Sequence, residues 1–184
     1  MPSRNAQALD PASLAWPDEA DAASDSLEAN HYYKADVRLA RWADVNIVLE
    51  RESALFALLA AAEDAETEWE SQSARIAADA DCVADEFFSS LDPGIASTAL
   101  ALGAAGCIPF WSCNGGAFGG DHSSPVPIVR FFAKAEHITM LAAAAESSGA
   151  KLHQDEHGRC AVSAEGVDVM RAFALALRDA CIPG

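Results

Sequence analysis

Basic residues are scarce in this chain. Twelve Lys and Arg stand against 28 Asp and Glu, a formal net charge of −16. Nucleic-acid affinity rests on basic side chains neutralising phosphates, so a nucleic-acid partner is not expected. Long apolar runs are also missing. None reaches the roughly 18 to 20 residues of a membrane span, and no membrane partner is expected. The first 26 residues, MPSRNAQALDPASLAWPDEADAASDS, lack the basic start and apolar stretch of a secretory signal. The five cysteines, Cys82, Cys107, Cys113, Cys160 and Cys181, are odd in number and contain no CxxC pair. A secreted disulfide framework would favour an even count in a smaller chain, so reduced thiols and a cytoplasmic location are expected. Several catalytic signatures are absent too. There is no GxxxxGK[ST] phosphate loop, no GxSxG setting around Ser97 or Ser112, and the residues from His153 read HQDEH rather than HExxH. No cofactor motif remains.

The 184 residues suffice for one domain with a substantial core, or one domain and a helical appendage. Hydrophobic residues make up 51%, which excludes a fully disordered chain, although alanine inflates the figure. The acid is concentrated. Residues 50–92 carry twelve acids against Arg51 and Arg75, so −10 of the −16 lies in under a quarter of the chain. Three segments are expected: a flexible acidic tail over 1–30, an acidic helical segment over 31–92, and an α+β domain over 93–184.

Periodicity supplies the elements. Residues 1–30 show no sustained period. Residues 35–50 look helical, with a strand over Val45–Leu49 as the alternative because Val-Asn-Ile-Val-Leu is β-favouring. Residues 53–70 and 73–91 follow helical spacing, the second with Ile76, Ala80, Val83, Ala84, Phe87 and Leu91 on one side and an acidic flank. Asp92-Pro93 reads as a helix start with Asp92 as cap, and Gly106 as that helix's end. Gly103 and the alanines let this helix approach a sheet closely. Strands follow at Cys107–Ser112 and Val126–Phe132, where Pro127 marks an edge or strand start. A helix over about 135–147 ends at Gly149. Strands over 150–154 and 159–163 flank a His157-Gly158 turn, and a last helix over 166–180 places Val167, Met170, Phe173, Leu177 and Cys181 on one face. The C-terminal half thus reads α-β-β-α-β-β-α: an α+β fold with helices packed on a small, mostly antiparallel four-stranded sheet. The helices before residue 92 would pack beside it or form a partner-binding arm.

The loop from Ser112 to His122 is the densest cluster of reactive residue types. Its four glycines free the backbone for positive φ and could expose amides as an anion-binding concavity. An irregular hairpin connection is the plainer expectation. Cys113 is the candidate nucleophile, His122 its base, and Asp121 or Asp155 the group that orients the base. Cys113, Asp121, His122, His153 and His157 are acceptable metal-ligand types, but no pattern specifies a metal. With no catalytic signature and a concentrated acidic segment, the expected function is non-enzymatic. The chain reads as an intracellular inhibitor, immunity- or antitoxin-like, that captures a basic protein partner. The expected contact residues are Glu63, Asp64, Glu66, Glu68, Glu70, Asp81, Asp85, Glu86, Asn114 and Phe118. The alternatives are a small cysteine- or metal-dependent hydrolase built on the 112–122 loop, and acidic helices that imitate a phosphate backbone.

Overall fold

A computed structural model describes residues 9–18, 37–78, 83–119 and 122–182. The helices are α1 (Trp42–Ala61), α2 (Ala65–Ala78), α3 (Val83–Ser90), α4 (Ala96–Ala104), α5 (Ile138–Ser148) and α6 (Val167–Cys181). The strands are β1 (Ile108–Cys113), β2 (Ile128–Phe132), β3 (Lys151–Gln154) and β4 (Cys160–Ser163). They form one antiparallel sheet in the order β1-β2-β4-β3. The α+β class and the α-β-β-α-β-β-α order of the C-terminal half are as expected. Pro127 precedes a central strand, so it marks a strand start and not an edge.

The N-terminal half is divided differently from its periodicity. Residues 42–61 form one helix, so Val45–Leu49 is helical and Leu49, Leu55 and Leu59 share its buried stripe. The Asp44 carboxylate accepts the Arg41 backbone N–H at 3.0 Å, half of a capping box. The chain breaks at Ala62–Asp64, in the middle of the stretch read as helix over 53–70. There the Asp64 carboxylate accepts the amides of Glu66 and Thr67, both at 3.1 Å, and starts α2. Asp92 does not cap α4. The Asp92 carbonyl accepts the Ile95 amide in a turn, and α4 begins at Ala96.

Helix α4 is the centre of the molecule. Every residue from Ala96 to Gly103 is buried. It packs on α1 and α6 and against β1. The close approach expected of Gly103 is made to the turn at Val37–Leu39, not to the sheet: a Cβ on Gly103 would lie 2.2 Å from the Val37 carbonyl oxygen. One continuous core joins Val45, Leu55 and Leu59 of α1 to Leu100 of α4, Val129 and Phe131 of β2, Val162 of β4 and Phe173 of α6. The helices before residue 92 are therefore built into the same core as the sheet, and the boundary expected there does not divide it. The expected stripe Val167, Met170, Phe173 and Leu177 is buried. Phe87 lies outside the described side chains.

The sheet turns Val129, Phe131, Leu152 and Val162 toward the helices. Its opposite face carries the cross-strand row Trp111, Arg130, Ala161 and His153. No helix packs there among the described residues. Instead residues 9–18, expected to be a loose tail, dock at one end of that face. The Ala15 amide donates to the Gly158 carbonyl at 2.9 Å, and Gln154 Oε1 accepts the Asp10 amide at 2.7 Å. Gly158 is required at this crossing, because a Cβ would fall 2.1 Å from the Ser13 carbonyl oxygen. Trp16 meets the His137 ring edge-on and carries Lys134 Nζ 4.5 Å above its own ring. This segment has no periodic apolar face because single residues hold it, so periodicity could not reveal it. Among the described residues no helix is long and apolar enough to cross a membrane.

Candidate functional site

The end of β1 and the loop after it are held by their own side chains. The Asp92 carboxylate accepts the Asn114 amide at 3.2 Å. Asn114 Oδ1 accepts the Gly116 amide at 2.9 Å, and Cys113 Sγ accepts the Gly115 amide at 3.4 Å. These short-range bonds need two successive left-handed residues, and Gly115 (φ 72°) and Gly116 (φ 73°) supply them. The Gly119 amide donates to the Gly116 carbonyl. Among the described residues, the amides of Gly115, Gly116 and Gly119 are thus spent inside the loop and that of Asn114 on Asp92, so these four are not offered to an anion.

Cys113 is buried, and its thiol lies 4.0 Å from the Ser124 carbonyl oxygen in addition to its contact with Gly115. Backbone groups hold the sulfur as a structural thiol. His122 is exposed and rests on Gly116, where a Cβ would meet its Nδ1 at 2.7 Å. Asp121, the third residue of the expected triad with Cys113 and His122, lies outside the described residues. His153 and His157 are also apart in role. His153 Nε2 meets Ser163 Oγ at 2.7 Å on the open sheet face, while His157 sits in the exposed turn beside Glu156. Among the described residues no three His, Cys, Asp or Glu side chains gather in a way that could hold a metal ion.

What the fold does bring together is this loop and the acidic helices. The Phe118 ring leaves the loop and packs on Phe56 of α1, with centroids 5.6 Å apart. Glu66 of α2 lies against Gly119, within 3.1 Å of where a Cβ would stand. Around this junction Glu63, Asp64, Glu66 and Glu70 are exposed, while Glu68 is half-buried and accepts from Gln72. Hydrogen bonds from Thr67 hold the Asp64 carboxyl below the usual carboxylate range. Phe118 is half-buried, and Asn114 is buried with its side chain committed to the loop. Of the other expected contact residues, Asp85 is buried and paired with Arg51, which removes it from the surface. Asp81 and the side chain of Glu86 lie outside the described residues.

Two buried polar sites escaped sequence reasoning. Glu52 of α1 is fully buried between α4 and α6. It accepts the Ser97 hydroxyl and the Ser97 amide, and burial, only partly offset by these bonds and by the charge of Arg171, pushes its pKa up to about 7. A glutamate at the i, i+3 and i−3 spacing of the Leu49 and Leu55 stripe was the available signal. The second site pairs Cys107 Sγ with His137 Nδ1 at 3.7 Å. That nitrogen also accepts the Lys134 amide at 3.2 Å, and burial pushes the thiol pKa up, so this Cys-His contact has no activated nucleophile.

No family model, curated protein or solved structure matches the chain.

Proposed function

We propose that this chain is a non-enzymatic interaction protein, an inhibitor of the immunity or antitoxin kind, that captures a basic protein partner at the junction of α1, α2 and the 113–119 loop. One observation carries it: the loop is packed onto the acidic helices by Phe118 on Phe56 and Glu66 on Gly119. The half-buried aromatic ring then lies beside the start of α2, where Glu66 touches the loop and the neighbouring carboxylates of Glu63, Asp64 and Glu70 are exposed. A central aromatic with a charged rim is the usual anatomy of a protein-binding patch. The loop is internally hydrogen-bonded, so it presents this patch at little ordering cost. The working compartment is the cytosol, in keeping with free thiols at Cys107, Cys113, Cys160 and Cys181.

The test is partner capture from source-cell extract at two salt concentrations, followed by surface-immobilised kinetics. Rim charges chiefly accelerate encounter and are screened beyond about 8 Å at physiological salt. Reversing Glu63, Glu66 and Glu70 to lysine is expected to slow association by about tenfold, equivalent to about 1.4 kcal/mol, with the fold intact. Association rates that ignore both the substitutions and the salt would reduce the acid to a solubilising coat.

A further inference from the structure

The open face of the sheet has the opposite character. Ala161 is the smallest side chain in the row Trp111, Arg130, Ala161 and His153, so the row dips at β4. The dip is the floor of a cleft of about 390 Å³, bordered by Ile128, Arg130, His153, Arg159 and Ser163. Both arginines are held from below by aromatic rings. The Arg130 guanidinium lies 4.9 Å from the centre of Trp111, and that of Arg159 lies 5.8 Å from Phe110. Neither has a carboxylate partner among the described residues. In a chain with 28 acids and 12 bases, two arginines left to aromatic rings are unusual.

Stacking occupies the face of a guanidinium and leaves its in-plane N–H groups free. It also fixes the plane, so less side-chain freedom is lost when an oxyanion docks. Most other polar groups of the cleft are already engaged. Asp155 also lines it, and its Oδ1 accepts the amides of His157 and Arg159, both at 2.9 Å. Gln154 is bonded to Asp10 and Ser13. His153 and Ser163 hold one another.

We infer that this cleft is a binding site for a small molecule bearing a phosphate or carboxylate group, with Arg130 and Arg159 as its donors and Ala161 as its floor. The ligand's oxyanion sits between the two guanidinium edges, and its remaining body lies along Ile128 and Ala161 toward the His153–Ser163 pair. The site is independent of the acidic surface.

The experiment is a nuclear magnetic resonance titration of the full isotope-labelled chain with inorganic phosphate and, separately, with citrate, each against sodium chloride at matched ionic strength. Saturable shifts in the side-chain Nε–H signals of Arg130 and Arg159 are expected with at least one probe. Saturation by phosphate alone assigns a phosphate ligand, and saturation by citrate alone assigns a carboxylate. Arg130→Gln and Arg159→Gln each weaken binding by about tenfold or more. Ala161→Leu, which fills the floor and keeps both charges, abolishes it. Shifts no larger than chloride produces would overturn the site. So would saturation that survives either glutamine variant or the filled floor, or arginine-dependent self-association of the chain with no response to either probe.

Discussion

The acidic helical layer and the open sheet face divide the charge between them. Helices α1 and α2 carry six acids and two bases, with Glu63 and Asp64 between them, whereas the four strands carry Arg130 and Lys151 and no acid at all. The net charge of −16 is an average over these two surfaces. On the helical side the carboxylates of Glu63, Glu66 and Glu70 are exposed and free to act at a distance. On the sheet side the cations are few, aligned by register and propped on aromatic rings. A diffuse field suits the steering of a large partner, while fixed guanidinium groups suit recognition of a small ligand. Two binding modes can therefore coexist in one small fold, with one core between them.

That shared core is the first place to break the comparison. Phe131 is fully buried on the helix-facing side of β2. Phe131→Ala should cost on the order of 3 to 5 kcal/mol, and far- and near-ultraviolet signals should lose both surfaces in one urea transition. Two separated transitions would mean that the acidic helices are a unit of their own.

Glu52 sharpens the comparison, because it is an acid of the acidic layer that faces inward. With its pKa pushed from 4.5 to about 7, the unfolded chain ionises this group while the folded chain keeps its proton. The folded state binds more protons across that window, so stability falls as pH rises through it, by on the order of 3 kcal/mol, and is level above it. His137 and His153 are lowered by burial and act in the opposite sense, losing stability as pH falls below their ordinary value. Comparing wild type with Glu52→Gln by urea unfolding at a series of pH values isolates the glutamate. The variant should show a flatter profile and greater stability above pH 7. A wild-type slope retained in the variant would assign the pH dependence elsewhere.

The smallest effect belongs to the segment that borders the sheet face. Lys134→Met removes the charge above Trp16. It should lower stability by about 0.5 to 1 kcal/mol and raise hydrogen exchange at Ala15 without changing it in α1. Equal exchange at Ala15 would show that the bonds to Gly158 and Gln154 hold the segment unaided.

Much of the C-terminal half was legible because its signals are local. Gly149 ends α5 in the left-handed conformation, and Val167, Met170, Phe173 and Leu177 recur at helical spacing. In the N-terminal half, local signals competed. The apolar period ran on across Ala62–Asp64, and the cap at Asp64, with its paired amides, decided against it. The Ser112–His122 loop was rightly singled out as a place of unusual backbone, but its groups are turned on one another. The cleft at Arg130 and Arg159 could not be read along the chain. It depends on strand order, which sets Ala161 between Arg130 and His153, and on aromatic props from the fourth strand, β1.

The docking of residues 9–18 also has a meaning in time. Asp10 and Gln154 are 144 residues apart in the chain they close. During synthesis residues 9–18 leave the ribosome long before their seat at Gly158 is made. Joining ends so far apart has an entropic cost that only a finished sheet can repay. The docking of residues 9–18 on Gln154 and Gly158 therefore waits on the pairing of β3 with β4.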